Sequence, residues 1–332
     1  MQLDQPAPSI HARPRRPMGP EAPWHNLEHL LQERRLRQAT AGWHRAPALR
    51  PILSPLRRAR RALDALWTAQ QLRLIAGAGR LLGTQRIVRP LPEFRGDFEL
   101  DLRSDVTRNL LLGRFERALV PLVEAAIGHG DVIDVGANAG LYTVLAARLV
   151  GEQGRVLAVE PAPSILDLLK ANITRNRLHN VLLFEGVAAS ERGWATLHVM
   201  EGNEEYASLG GGHHPHAPRR ALRRIEVPAE TLDALTMRHG LQPALIKIDT
   251  EGAEGLVLQG ATAVLSLHRP VVLSELDDRL LRPLGWDAER VRGLLFQLGY
   301  RIYDALTGSE QLPGRVAAPY IGEIVALPSP RP

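Results

Sequence analysis

Acidic residues lie in or end several short apolar runs between residues 132 and 275. Asp134 lies in VIDV, Glu160 ends RVLAVE, Asp249 ends ALIKID and Glu275 ends PVVLSE. Continuous runs of Val, Ile and Leu are typical of parallel strands buried on both faces. The carboxyl ends of such strands meet at the edge of the sheet where ligands bind. Carboxylates gathered there can remove a hydroxyl proton or hold a divalent cation.

A glycine-containing loop, GANAG at residues 136–140, follows the first of these runs. Gly136 allows a tight turn, and Gly140 lets the next helix begin close to the strand. The backbone N–H groups of such a loop can bind a carboxylate or a phosphate. The alternative is a turn that binds nothing, because a single glycine loop is weak evidence for a site.

The spacing around this loop favours one class of ligand. It lacks the G-x-G-x-x-G of nicotinamide and flavin enzymes and matches the acid-x-G-x-x-x-G arrangement used for S-adenosylmethionine. Glu160 can accept both hydroxyls of a ribose, although an acid at a helix start is also favoured by the helix dipole. Asp134 would then lie near the methionine ammonium. The predicted cofactor-binding set is Asp134, Gly136, Ala137, Asn138, Gly140, Glu160, Pro161 and Val187.

Strand-like and helix-like segments alternate from about residue 91, which predicts an α/β fold with a doubly wound, mostly parallel sheet. One helix is predicted over 108–127, and two antiparallel-looking strands, YRIYD and IGEIVAL, end the chain. Between 195 and 227 the pattern breaks into two strand-like pieces, ATLHV and RIEV, around a loop rich in Gly and His.

Five motifs together resemble a known family. IDVGANAG, VLAVEPAP, TLD, IKIDTEGAEGLVLQGA and RPVVLSE occur in the order and spacing of the FkbM-type methyltransferases, over about residues 94–328. The D-x-E-G-x-E element is the most specific of them. The resemblance implies a Rossmann-like class I methyltransferase fold, S-adenosylmethionine as cofactor, and methylation of hydroxyl oxygens on sugars, glycans or polyketide-type natural products.

Three residues are the candidates for the catalytic base: Asp249, Glu275 and His214. Asp249 ends the central strand, where it can act as a base, hold Mg²⁺ or Mn²⁺ together with Glu275, or merely cap the next helix. For Glu251 and Glu254 we favour a structural role in the first helical turn. His213, His214 and His216 lie in a glycine-rich loop without regular metal-ligand spacing, so a substrate lid is favoured over a metal site.

Residues 1–90 form a basic extension that the resemblance does not cover. They hold 16 arginines and five acidic residues, whereas the whole chain has a net charge of +5. We predict disorder over 1–23, a helix over 24–38 and a second helix over 56–82, all outside a methyltransferase domain at 91–332. We favour a helical extension that packs on the domain or on a partner, and the alternative is a basic surface that contacts anionic membrane lipid. Its arginines are not interleaved with aromatic side chains in the way that stacking platforms are, so nucleic acid is the weaker alternative.

The sequence therefore predicts an S-adenosylmethionine-dependent O-methyltransferase that acts on a small-molecule or glycan acceptor. Two alternatives remain: a dinucleotide-dependent oxidoreductase, and a non-catalytic protein that retains the fold. The absence of cysteine excludes disulfides and thiolate chemistry. No apolar run approaches the roughly 20 residues of a membrane span, and the first 20 residues do not form a secretory signal. We expect a cytoplasmic protein, with a peripheral membrane contact of the extension as an alternative.

Overall fold

The structure is a computed structural model. It describes residues 25–43, 85–112, 118–128, 130–211, 214–215 and 221–330, together with positions 70, 74 and 77. Side chains of the first helix are described from 26 to 38. The segment predicted to be disordered, nearly all of the helix predicted over 56–82, and His213 and His216 lie outside these residues.

The strands of the described chain are short, and most are buried. In order they are β1 (Arg86–Leu91), β2 (Gly96–Asp101), β3 (Asp131–Val135), β4 (Val156–Glu160), β5 (Val181–Glu185), β6 (Val187–Ala188), β7 (Gly193–Met200), β8 (Leu222–Glu230), β9 (Pro243–Ile248), β10 (Val271–Asp277), β11 (Tyr300–Asp304) and β12 (Ile321–Pro328).

The helices alternate with these strands. In order they are α1 (His25–Trp43), α2 (Asp105–Leu111), α3 (Val120–Ala126), α4 (Leu141–Val150), α5 (Pro163–Arg175), α6 (Leu232–His239), α7 (Glu254–Gln259), α8 (Thr262–Leu267), α9 (Asp278–Leu281) and α10 (Ala288–Gln297). None of them combines the length and the apolar character needed to cross a bilayer.

Seven strands form the central sheet, in the order β11-β12-β10-β9-β3-β4-β5. The five from β10 to β5 are parallel, and β12 runs antiparallel to both of its neighbours. This confirms the predicted mostly parallel sheet with an antiparallel pair at its end. The chain passes from β3 to β4 on one side and later returns to β9 on the other. A crevice therefore opens beyond the carboxyl ends of β3 and β9, the usual ligand position in such sheets.

The two faces of the sheet carry separate apolar cores. On one face Ile133, Ile246 and Val272 pack with helices α6, α7, α8 and α10. On the other face Val132 and Leu245 pack with α3 and α4. The strand residues alternate between these cores because successive side chains of a strand point to opposite faces.

The first helix packs on the second of these cores. Leu27 and Leu31 are buried there, and Leu30 packs against it. Arg34 donates to the carbonyl of Ala118, at 2.6 Å, and to that of Ala305. The helix predicted over 24–38 is confirmed, and its apolar face is part of the core of the sheet. The domain boundary at residue 90 stays a prediction.

Two further predictions concern the segments beside the sheet. The single helix expected over 108–127 is wrong: α2 ends at Leu111, and α3 starts anew at Val120. The Ser104 side chain caps α2 by accepting from the Thr107 N–H, and a proline lies in the first turn of α3, a favoured position at a helix start. The strand-like pieces around the Gly/His loop are confirmed as β7 and β8, which pair antiparallel.

Candidate active site

A cavity of about 380 Å³ opens at the carboxyl edge of β3 and β9. The loop after β3 and the ends of β4, β6, β9 and β10 all contribute to its wall. Of the predicted site residues, the wall includes Gly136, Ala137, Asn138, Glu160, Pro161, Val187, His214, Asp249 and Glu275. The sheet therefore brings the predicted cofactor-binding and catalytic side chains to one place.

The loop after β3 needs a glycine at its first position. Gly136 has a φ of +77°, and a Cβ there would lie 1.8 Å from the carbonyl oxygen of Asp249. The two loops that follow β3 and β9 thus touch through their backbones. Asn138 also has a positive φ, of 50°, which asparagine tolerates better than most residues. The contact places Asp249 directly beside the predicted cofactor loop.

Glu160 is buried at the end of β4 and lines the cavity. Its two carboxylate oxygens accept hydrogen bonds from the backbone N–H groups of Asn138 and Ala162, each at 2.9 Å. Burial raises the pKa of Glu160 to about 7, although these two hydrogen bonds oppose the shift. A buried carboxylate of this kind is stabilised in its charged form by further donors, such as two hydroxyl groups.

Asp134 lies behind the wall of the cavity and does not form part of it. The Thr143 hydroxyl donates to Oδ2 at 2.6 Å, and Oδ1 is buried without a hydrogen-bond partner among the described residues. Burial raises the pKa of Asp134, and the charge of Lys247 partly offsets that effect. Lys247, opposite Asp134 in the β3–β9 register, does line the cavity.

Lys247 links three parts of the wall. Its Nζ donates to Asp249 Oδ2 at 3.1 Å and lies 4.9 Å from the ring centroid of Tyr142. Asp249 follows the last residue of β9 and does not cap α7, whose N-cap residue is Ala253. Lys247 is the one hydrogen-bond partner of the Asp249 carboxylate among the described residues. A carboxylate held at one oxygen has the other available for a ligand.

Glu251 lies in the wall of the cavity, and the prediction that it belongs to the first turn of a helix is wrong. Helix α7 begins three residues later, and Glu251 sits in the preceding turn with a φ of 54°. Its Oε2 lies 3.0 Å from His214 Nε2. The His214 ring stacks on Tyr206, with centroids 4.2 Å apart. Burial raises the pKa of Glu251, and the His214 contact opposes the shift.

Glu254 has the structural role predicted for it. Its Oε1 accepts from the Thr250 N–H at 2.8 Å, from the Thr250 hydroxyl at 2.9 Å and from the Gly252 N–H at 3.2 Å. These bonds hold the turn that carries Glu251. Glu254 thereby fixes the shape of the DTEGAE segment without lining the cavity.

Residues 134–302, about half of the chain, match the family described as the methyltransferase FkbM domain. The chain belongs to the FkbM methyltransferase family. This confirms the predicted class I methyltransferase fold and supports S-adenosylmethionine as the cofactor. It also leaves the oxidoreductase alternative without support.

Two curated relatives of this FkbM protein share one name. The chain is 41% identical over 56 residues to the probable cobalt-precorrin-6B C(15)-methyltransferase (decarboxylating) of Sulfurisphaera tokodaii, which is 17% of this chain and 29% of that one. It is 36% identical over 97 residues to the protein of the same name from Sulfolobus acidocaldarius, 29% of this chain and 48% of that one. The chain thus spans less than half the length of these two relatives.

Two solved structures are similar to this chain over more than half of its length. The methyltransferase FkbM of Methylobacillus flagellatus KT is 17% identical with a TM-score of 0.40, over 59% of this chain and 43% of that one. The precorrin-6y C5,15-methyltransferase of Geobacter metallireducens GS-15 is 17% identical with a TM-score of 0.37, over 63% of this chain and 86% of that one.

The residues of the FkbM protein fit the cofactor of the family. Glu160 offers a buried carboxylate to the ribose hydroxyls, and the loop after β3 offers backbone N–H groups to the methionine carboxylate. The unpartnered Oδ1 of Asp134 supplies negative charge behind this loop, where we predicted the methionine ammonium. Pro161 and Val187 line the same end of the cavity. Gly140 is the N-cap of α4, with a φ of 86°.

A bound divalent cation has less support from the structure than the cofactor site has. Asp249 and Glu275 both line the cavity, but the described residues contain no group of three His, Asp or Glu side chains arranged to hold a metal ion. Asp249 binds Lys247 instead. Glu275 does not close its strand as predicted, because β10 continues to Asp277 and pairs Glu275 with Glu323 of β12.

Sequence reasoning missed Lys247 and Glu251 as parts of this site. Lys247 is one of only two lysines in the chain and interrupts an otherwise apolar strand, which is a usable signal for a functional charge. Glu251 is followed by Gly252, whose φ is +107° and where a Cβ would lie 2.3 Å from the Leu280 carbonyl oxygen. The glycine signals a turn at this point and not the start of a helix.

Proposed function

We propose that this FkbM protein is an O-methyltransferase that acts on a hydroxyl group of a sugar, a glycan or a natural product. The observation that carries the proposal is the group of proton acceptors beside the cofactor end of the cavity. Asp249, Glu275 and the His214–Glu251 pair all line that wall. A neutral hydroxyl needs a base when it attacks, because the free hydroxyl is a weak nucleophile.

Asp249 is the best placed of these bases. Its backbone carbonyl touches the cofactor loop at Gly136, and Lys247 holds its Oδ2 at 3.1 Å. Oδ1 is then free to accept the proton of an acceptor hydroxyl. Lys247 fixes the direction of the carboxylate, so that proton removal and alignment of the hydroxyl occur together.

The remaining residues bind and enclose the reactants. Glu160 and the loop after β3 hold the ribose and methionine ends of the cofactor, and the stacked rings of Tyr206 and His214 form another part of the cavity wall. S-adenosylmethionine, when bound, supplies a methyl group that its sulfonium already activates. The protein therefore contributes mainly positioning, exclusion of water and a base.

Product analysis tests the proposal. The purified protein is incubated with ¹³C-methyl S-adenosylmethionine and fractions of hydroxyl-bearing glycans and natural products, and the labelled product is examined by NMR. We expect the label on oxygen, recognised by the carbon shift of a methyl ether. Label on nitrogen or carbon would contradict O-methylation while leaving methyl transfer intact.

A variant that lacks the proposed base serves as the control for this experiment. The same incubation with the Asp249→Asn variant should leave the labelled product at least about 10²-fold less abundant. The addition of EDTA separates a carboxylate base from a bound cation. We expect the wild type to keep its activity, because Asp249 is paired with Lys247.

A further inference from the structure

Two buried asparagines at the carboxyl end of α5 hold the strand β2. Asn172 and Asn176 are 0% and 5% exposed. The Asn172 amide accepts from the Glu99 N–H at 2.7 Å and donates to the Glu99 carbonyl at 3.1 Å. Asn176 bonds in the same way to the N–H and the carbonyl of Asp97, at 3.0 Å and 2.8 Å. Each side-chain amide therefore pairs with the backbone of β2 as a residue of an adjacent strand does.

The two asparagines differ in their third hydrogen bond. Asn176 Nδ2 donates to the backbone carbonyl of Asn172, in α5 itself, at 2.9 Å. Asn172 Nδ2 donates to the backbone carbonyl of Ala139 at 2.8 Å. Ala139 belongs to the cofactor loop, residues 136–140, and lines the cavity. One fully buried side chain thus contacts both β2 and the cofactor loop.

The bond from Asn172 fixes one peptide group of the cofactor loop. The carbonyl of that group, from Ala139, accepts from Asn172, and its N–H, from Gly140, donates to the Ala137 carbonyl at 2.9 Å. Gly140 has a φ of 86° and is the N-cap of α4. A peptide group bonded at both ends turns only when both bonds break. Its orientation therefore sets where α4 begins at the edge of the cavity.

Removal of the Asn172 amide would leave the Ala139 carbonyl without its donor. Among the described residues, Asn172 is the one side chain that donates to this carbonyl. A buried carbonyl without a partner is unfavourable. The peptide group between Ala139 and Gly140 would then turn to find another donor, and the start of α4 would move with it.

We propose that Asn172 is a positioning residue for the cofactor, which holds the cofactor loop in its binding shape and ties that shape to the β1–β2 hairpin. Asn172 is not part of the cavity wall, so it acts through the loop. The hairpin precedes residues 134–302, the part of the chain that matches the FkbM domain. The inference goes beyond the proposed function, because it concerns the cofactor and holds whichever atom is methylated.

Alanine substitutions give a matched pair of variants. Each variant loses two hydrogen bonds to β2, and only Asn172→Ala loses the bond to the cofactor loop. We expect the Kd of S-adenosylhomocysteine to rise at least about fivefold in Asn172→Ala and to stay within about twofold of the wild type in Asn176→Ala. Titration calorimetry measures both constants, and circular dichroism shows that the variants are folded.

Hydrogen exchange of the ligand-free proteins gives a readout that does not depend on the cofactor. The backbone amides of residues 136–145 should exchange at least about fivefold faster in Asn172→Ala than in the wild type. In Asn176→Ala these amides should exchange at the wild-type rate. A general loosening of β2 would instead affect the two variants alike.

Asn172→Asp serves as a second variant if Asn172→Ala does not fold. It keeps the shape and the acceptor for the Glu99 N–H, but its carboxylate has no donor for the Ala139 carbonyl, so the same rise in Kd is expected. A Kd within about twofold of the wild type in the folded Asn172 variant would overturn the inference. An equal rise in Asn176→Ala, or unchanged exchange of residues 136–145, would also overturn it.

The outcomes for the two proposals are distinct. If the wild type does not bind S-adenosylhomocysteine, the inference and the cofactor assignment both fail. Methyl transfer to carbon or nitrogen would reject the proposed O-methylation and leave the role of Asn172 intact.

Discussion

Replacement of Asp249 by asparagine should lower kcat by about 10²-fold or more, because the amide cannot accept the hydroxyl proton. The asparagine oxygen still accepts from Lys247, so the buried ammonium keeps a partner. Affinity for S-adenosylhomocysteine should change by no more than a few-fold, and the thermal unfolding midpoint should stay close to that of the wild type. Single-turnover kinetics with labelled cofactor measure the fall in the rate of methyl transfer.

A matched substitution on the surface separates loss of the base from a general effect of the mutation. Asp167 is exposed on α5 and does not line the cavity, so Asp167→Asn should retain wild-type turnover. If Asp249→Asn also turns over within a few-fold of the wild type, Asp249 is not the base. Glu275→Gln and His214→Ala would then be the variants to measure.

Replacement of Glu160 by glutamine should weaken the binding of S-adenosylhomocysteine by roughly ten-fold or more. Hydrogen bonds to a charged group contribute about 1.5–3 kcal/mol each, and about 1.4 kcal/mol corresponds to a factor of ten in affinity. Two backbone N–H groups donate to the Glu160 carboxylate. Glutamine has only one side-chain oxygen, so one of these N–H groups loses its acceptor in the variant. Titration calorimetry of both proteins gives the ratio of the dissociation constants.

The pH dependence of this affinity identifies the charged form of Glu160. Burial raises the pKa of Glu160 from 4.5 to about 7 in the free protein, and hydroxyl donors favour the ionised form. Binding therefore releases a proton below pH 7. Affinity should rise as the pH increases from 5.5 to 7 and level off above it, whereas Glu160→Gln should show no such rise.

A neighbouring glutamate provides the control for the Glu160 variant. Glu185 lies opposite Glu160 in the β4–β5 register but is half exposed and pairs with Lys170. Glu185→Gln should therefore leave both the affinity and its pH dependence unchanged. An unchanged affinity in Glu160→Gln would show that the ribose is bound elsewhere.

The strands and the cofactor loop could be predicted from the sequence because their signals are local. Buried strands such as β3 and β4 are continuous apolar runs, and Gly136 and Gly140 take positive φ values at the ends of a short loop. Glu160 could be placed because it directly ends a strand. In each case the residues that define the structure are neighbours along the chain.

The features of the site that could not be predicted from the sequence depend on contacts between distant segments. Lys247 joins Asp134, Asp249 and Tyr142 across two strands and a helix, a combination that strand patterns alone do not give. The contact between His214 and Glu251 closes a span of 36 residues. The break between α2 and α3 does have a local signal, the proline in the first turn of α3.

A crystal structure of the complex with S-adenosylhomocysteine tests the central claim most directly. We predict that the ribose hydroxyls lie within hydrogen-bonding distance of Glu160, roughly 2.5–3.2 Å. The homocysteine carboxylate should lie at the N–H groups of the loop after β3, and the sulfur should face Asp249. A ligand bound outside this cavity, or one whose sulfur points away from Asp249, would contradict the assignment of this edge of the sheet as the methyl-transfer site.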